Sequence, residues 1–240
     1  MSVTHKSSSS WRNWAFLFVM FGCVQFFLLT TLAMFFYPGG TYLDPGRKGY
    51  AFFMNFFSDL GRTHTLLGAR NNPSFILFTI ALSLAGLALI IFFLAIPALS
   101  HGGSSGRWLS ISGSAFGVVS GLSFMGVAFT PADLYLPFHE IFVNLAFTSF
   151  FLGVICYLVI TAIHPTFPKV YAWVYLGFTV ILGVYLLLLF TGPSAHSKTG
   201  LTIQATGQKI VGYAAILCMF IQGYGSYHIQ KSSPPLEKDP

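Results

Sequence analysis

Charge is scarce in this chain. Only 8% of its 240 residues are Asp, Glu, Lys or Arg, against roughly 25% in an ordinary soluble domain. A water-soluble globule of this size could not cover its surface with so few charges, so most of its solvent is expected to be lipid. Acids are the rarest of the charged residues, six in all. Cysteine is also sparse: Cys23, Cys156 and Cys218 each lie inside an apolar run, and none forms a C-x-x-C pair. They read as small packing residues rather than a redox or disulfide framework. No P-loop, dinucleotide-binding glycine pattern or G-x-S-x-G elbow occurs. The formal charge is +6, but the Lys and Arg residues are scattered, which points to solvated loops and lipid headgroups rather than nucleic acid.

What the chain has instead is apolar length. Hydrophobic residues make up 55%, including 27 Phe. A helix needs about 20 apolar residues to cross the hydrocarbon core. Six segments meet this, at about 14–36, 73–99, 108–130, 137–163, 171–191 and 208–228. The runs are continuously apolar, which excludes a barrel of alternating strands. The expected fold is all-α, a polytopic bundle of about six transmembrane helices forming one domain over 14–229. A polar segment, 1–13, precedes it, and a disordered tail, 230–240, follows. The first run is too long for a secretory signal and lacks a clean cleavage site. Trp11, Trp14, Trp108 and Trp173 sit near the starts of apolar runs, where an interfacial belt belongs. The protein is expected in the cell membrane.

Six crossings put both termini on one side. With the N-terminus inside, Lys6, Arg12, Arg107, Lys169, Lys231 and Lys238 fall inside, and Arg47, Lys48, Arg62, Arg70, Lys198 and Lys209 fall outside. The positive-inside rule gives a tie. Short loops and tails weigh more than one long loop, which favours cytoplasmic termini. Acids are less evenly spread. Asp44, Asp59, Asp133 and Glu140 all fall on the face away from the termini, together with His64, His139 and His196.

Three stretches on that face carry the candidate chemistry. In GYAFFMNFFSDLGR, Asn55, Asp59 and Arg62 recur at helical spacing among phenylalanines. This predicts a short amphipathic helix in the interface, with Gly61 as a C-terminal cap. Ser58 and Asp59 either face a polar pocket, or Asp59 pairs locally with Arg62 or caps a turn. Neighbours on a helix point about 100° apart, so both cannot face one pocket equally. In TPADLYLPFHEIFVN, Pro137 opens the fourth span, with His139 and Glu140 in its first turn and Asn144 one turn on from Glu140. Ionisable groups at that depth usually face protein or a wet cavity; an acid complementing the helix dipole is the plainer alternative. In PSAHSKTGLTIQATGQK, His196, Lys198, Gln204 and Lys209 cover the pocket, bind a headgroup phosphate or form an ordinary solvated loop. The pocket and headgroup candidates are therefore Ser58, Asp59, Arg62, Asp133, His139, Glu140, Asn144, His196 and Lys198. Asp59, His139 and Glu140 are the candidates for catalysis. No metal or cofactor is expected, because the histidines lie in separate loops without ligand spacing.

The third span repeats Gly113, Gly117 and Gly121 at four-residue intervals. Such a face permits close helix approach, and predicts a central position in the bundle. A lipid chain against the glycines and homodimerisation are the rival uses.

The combination FYPGGTY, NFFSDLGR, NNPSFILF, VAFTPAD and FHEIFVNLAF resembles the family called domain of unknown function 998, bacterial and archaeal multi-pass membrane proteins. Ser58–Gly61 and His139 carry most of the likeness, which runs from the first span to the sixth; Phe57 stands where Ile is usual. More loosely, the chain is similar to membrane proteins that remodel GPI-anchor lipids. The resemblance implies a six-helix bundle with a polar pocket at one face and brings no established reaction. Three functions follow as expectations. The chain binds or organises membrane lipid, hydrolyses or transfers a lipid headgroup, or works as a small proton-coupled transporter with Glu140 or Asp59 taking the proton.

Overall fold

The computed structural model describes residues 6–99, 104–163 and 167–232. Six long helices carry almost all of it: α1 (Lys6–Phe36), α2 (Asn72–Ala95), α3 (Ser104–Phe129), α4 (Leu136–Ile163), α5 (Lys169–Thr191) and α6 (Lys198–Ser232). All six are long and apolar enough to cross a membrane. Pro73 starts α2 and Pro137 starts α4, where a missing N–H costs nothing. A short 3-10 turn, Ile96–Leu99, extends α2.

The helices pack chiefly on their neighbours in sequence, and α6 closes against α1, so the bundle is a ring of six staves. Contrary to expectation, α3 is one stave rather than a central helix. Its glycines serve both neighbours. A Cβ at Gly113 would lie 2.8 Å from Cys156, one at Gly117 2.2 Å from the Phe93 ring, and one at Gly121 2.6 Å from the Gly86 carbonyl oxygen. That space holds α2 and α4, which leaves no room there for a lipid chain.

Two boundaries differ from the hydropathy reading. The helix α6 starts ten residues before 208 and runs 35 residues, about 52 Å at 1.5 Å per residue, well beyond a 30 Å hydrocarbon core. Its first turns are polar, and Ser197 caps them by accepting the Gly200 N–H at 3.0 Å. Residues 230–232, expected in the tail, are helical, and 233–240 lie outside the described residues. At the other end, α1 takes in residues 6–13 of the expected polar segment.

Trp11, Trp14, Trp108 and Trp173 all point outward. They lie near the starts of α1, α3 and α5, which share one end of the bundle, so they form a belt at a single interface. Inside, the half nearer the termini is filled by aromatic rings meeting edge to face, such as Phe92–Phe93 and Phe93–Phe150. Interhelical hydrogen bonds add to this. The Tyr157 hydroxyl lies 2.6 Å from that of Ser114, Gln25 donates to the Ala81 carbonyl at 2.9 Å, and Gln222 donates to that of Tyr171 at 2.9 Å.

Candidate functional site

The segment 37–71 folds over the bundle end remote from the termini. Its opening Pro-Gly-Gly turn depends on two glycines with positive φ, Gly39 and Gly40. A Cβ at Gly40 would meet the Leu67 backbone nitrogen at 2.4 Å. The expected amphipathic stretch contains one regular piece, a 3-10 helix over Phe57–Gly61, entered through an extended Phe56. Gly61 is its last residue rather than a cap after it. A Cβ there would meet Phe78 at 2.5 Å, so the glycine is needed for close packing on α2.

Asn55 organises this cap. Its side-chain amide donates to the Gly40 carbonyl at 2.8 Å and to Asp59 Oδ2 at 3.0 Å, while its Oδ1 accepts the Ala51 N–H at 2.9 Å. Asp59 Oδ2 also accepts the Phe56 N–H at 2.8 Å, which stabilises the start of the 3-10 turn. Asp59 is buried. Burial pushes its carboxyl above the ordinary value, against the opposing pull of the Asn55 and Phe56 hydrogen bonds, Arg62 and Lys209. Lys209 reaches in from α6 and is 1% exposed. Its ammonium donates to the Asn55 carbonyl and, at 3.3 Å, to that of Ala205. It also stands 5.2–5.6 Å from the ring centres of Phe52, Tyr50 and Phe57, within cation–π range. Sequence reading placed Lys209 with the loop; its position just before an apolar run was the available signal of burial.

The other candidates make hydrogen bonds of their own. Asp133 ties the cap to the α3–α4 turn: it accepts the Thr63 N–H at 3.0 Å, the Thr63 hydroxyl at 2.5 Å and the His64 N–H at 2.9 Å. The His64 ring Nδ1 lies 3.9 Å from Asp133 Oδ2. Partial burial pushes the Asp133 carboxyl up, but these hydrogen bonds outweigh it and hold the group below its ordinary value. His139 is buried and its Nδ1 donates to the Thr130 carbonyl at 2.7 Å, joining the first turn of α4 to the end of α3. Arg62 is half-buried, with Nε donating to the His64 carbonyl at 3.4 Å. Glu140, His196 and Lys198 are exposed, and Asn144 is half-buried on α4. Among the described residues no hydrogen bond joins Asp59, His139 and Glu140, and no group of three His, Cys, Asp or Glu is placed to hold a metal.

Beneath the cap the helices line a half-open cavity of about 110 Å³. Its wall comes from five staves: Cys23 and Phe26 of α1, Leu82 and Ala85 of α2, Phe124 of α3, Val143 and Phe147 of α4, Ala215 and Ile216 of α6, among others. Phe57, Ser58 and Gln208 form its capped end. The Gln208 Oε1 accepts the Phe57 N–H at 2.7 Å and so fixes the 3-10 turn to α6. Ser58 and Asp59 diverge, as adjacent residues must: Ser58 lines the cavity and Asp59 turns to Asn55. No Asp, Glu, Lys, Arg or His lines it.

Fold and composition together define a multi-pass integral membrane protein. No family model, curated protein or solved structure matches the chain.

Proposed function

We propose that this protein binds or organises membrane lipid by taking an apolar chain into the cavity under its cap. The supporting observation is the wall itself. It is a half-open space lined by side chains from five helices, nearly all apolar, in a chain whose surroundings are lipid. Apolar cavities exclude water and accept apolar ligands. On this reading the cap closes the chain's site from the aqueous side, and the resemblance to the domain of unknown function 998 family falls on it, since Ser58–Gly61 builds the capped end and His139 ties the helices beside it.

The alternatives, a headgroup hydrolase or transferase and a proton-coupled carrier, have less support. Asp59 and His139 are each committed to separate structural hydrogen bonds, and Glu140 faces outward. For orientation we place the termini in the cytoplasm of a cell membrane. Lys and Arg are shared evenly between the two faces, and the short loops and tails at the terminal end weigh more than the long 37–71 segment. Impermeant maleimide should then label Ser197→Cys from outside intact cells.

The test of lipid binding is the lipid retained by protein purified in mild detergent. Ala215→Phe and Ala85→Leu should fill the cavity and reduce co-purifying lipid several-fold, with thermal unfolding confirming that each variant is folded. Equal retention in wild type and both folded variants would refute the reading.

A further inference from the structure

The exterior of the cap carries an apolar patch that is separate from the cavity. Phe52 and Phe53 are 38% and 58% exposed, and their rings meet edge to face at 5.1 Å. The helices beside them fix their height. Trp14, in the belt near the termini, lies 13 residues before Phe27 on α1 (14 to 27), about 20 Å at 1.5 Å per residue. The Phe27 ring meets that of Tyr213 on α6, with centres 5.9 Å apart. Lys209 is four residues nearer the cap on α6 (213 to 209), about 6 Å more. Lys209 thus stands about 26 Å above the level of Trp14, and its ammonium is 5.2 Å from the centre of the Phe52 ring. The hydrocarbon core is about 30 Å thick, so this part of the cap stands at its far edge and not in open water.

Charge of one sign lies next to the rings. Arg47 and Lys48 are exposed. The Gly40 N–H donates to the Arg47 carbonyl at 2.8 Å and the Gly49 N–H to that of Pro38 at 2.9 Å, which pins their turn to the end of α1. Across the cap Arg47, Lys48 and Arg70 are exposed cations, and Asp44 is the one exposed acid. Aromatic rings at the hydrocarbon edge with cations beside them match a phospholipid leaflet, whose phosphates lie just outside its acyl chains. A water-soluble partner docking on the same rings would have to displace lipid from that edge.

We propose that the cap is an interfacial anchor: Phe52 and Phe53 sink into the leaflet on the cap side, and Arg47 and Lys48 bind the phosphates of its phospholipids, anionic ones most strongly.

The test uses the full chain in nanodiscs of phosphatidylcholine mixed with phosphatidylglycerol. A nitroxide on Phe53→Cys is read by EPR power saturation, with wild type carried through labelling as the blank. It should be relaxed more by oxygen, which concentrates in the bilayer, than by water-soluble nickel–EDDA. A nitroxide on Ser197→Cys, in the loop before α6, should show the reverse order. A second measurement needs no substitution: phosphatidylcholine bearing a diazirine high on its acyl chain should leave carbene adducts on residues 52–53 of wild type. Arg47→Gln combined with Lys48→Gln, shown to be folded, should lower the preference of boundary lipid for spin-labelled phosphatidylglycerol over phosphatidylcholine about twofold or more. Nickel–EDDA prevailing at position 53, or no adducts at 52–53, overturns the anchor by placing the cap in water. A label at 53 that neither reagent reaches, broadened by a second nitroxide, assigns the rings to another copy of the chain and overturns it too. An unchanged phosphatidylglycerol preference overturns the phosphate contacts. None of these outcomes bears on the cavity, which Ala215→Phe and Ala85→Leu test separately.

Discussion

Lys209 donates to the backbone carbonyl of Asn55, and the Asn55 side chain donates in turn to Asp59, so two buried groups of opposite formal charge meet through one asparagine and not directly. Asp59 accepts both of its hydrogen bonds through Oδ2, and burial favours its neutral form. An amide can accept the same two bonds. Asp59→Asn should therefore change stability by less than about 1 kcal/mol, whereas Asp59→Ala should cost about 1–3 kcal/mol by leaving buried donors unpaired. Thermal unfolding in detergent measures both. Equal damage from the two variants would mean that the ionised carboxylate is required and that the cap is held by an ion pair.

Removing the Lys209 side chain should be worse. Lys209→Ala empties an aromatic cage and strips the Asn55 carbonyl of its donor. A loss of about 2–5 kcal/mol is expected from the cavity alone. Lys209→Met fills the cage without the charge and should recover more than half of it. The readout that locates the effect is proteolysis of the 37–71 segment, which should accelerate in Lys209→Ala before the bundle unfolds.

Acid should loosen the cap through Asp133. Its carboxyl is held below the ordinary 3.8 in the folded protein. A depressed acid stabilises the fold fully above the unfolded value and loses that contribution as pH falls through the folded one. The Asp133 tie should thus be constant from neutrality to about pH 4 and weaken only below it. Asp59 has the opposite sign: its folded value is raised, so its ionisation costs stability as pH rises past about 4. Tm measured between pH 3 and 7 for Asp133→Asn and for wild type separates the two. The variant should lack the acid-side fall specific to Asp133. A wild-type fall that persists unchanged in Asp133→Asn would assign it elsewhere.

The spans were legible because lipid imposes a simple rule: about 20 continuous apolar residues with every backbone group bonded internally. The start of α6 escaped that rule. Its first turns, Lys198–Gln208, stand against the cap rather than in hydrocarbon, so hydropathy had nothing to register, although Ser197 ahead of Gly200 was a cap signal. The gathering of acids on one face followed from counting crossings, and the Asp133 bonds to Thr63 and His64 show two of those loops meeting. What sequence could not supply was direction. Ser58 and Asp59 are adjacent yet serve different surroundings, and Glu140 and His139 are adjacent yet one is exposed and the other buried. The cavity was also illegible, because it is lined by residues of five helices whose apolar character looks the same whether they face lipid, protein or empty space.

The glycine seam of α3 makes a graded prediction. Gly121→Val would drive a branched side chain into the Gly86 carbonyl and Ile90, and Gly117→Leu into Phe93. Each should lower stability by about 2 kcal/mol or more through overpacking. Gly177 on α5 has open space where its Cβ would be. Gly177→Ala should be neutral or slightly stabilising, since alanine is the better helix former by about 1 kcal/mol. If Gly121→Val were as benign as Gly177→Ala, α2 and α3 would not approach as closely as this packing requires.

His139 offers the sharpest division between structure and chemistry. A carbonyl can only accept, so the bond to Thr130 fixes the proton on Nδ1 and commits that nitrogen to joining α3 and α4. Asparagine can place an amide donor at nearly the same distance from the backbone. If His139 is a tie, His139→Ala should lower Tm, at a cost of about 1–3 kcal/mol, His139→Asn should restore much of it, and the membrane lipids of cells carrying His139→Asn should match wild type. An imidazole that shuttles protons has no such substitute. A folded, normally abundant His139→Asn that altered the lipid species to the same degree as His139→Ala would show that Nε2 does chemistry the amide cannot, and would return the headgroup hydrolase or transferase reading to first place.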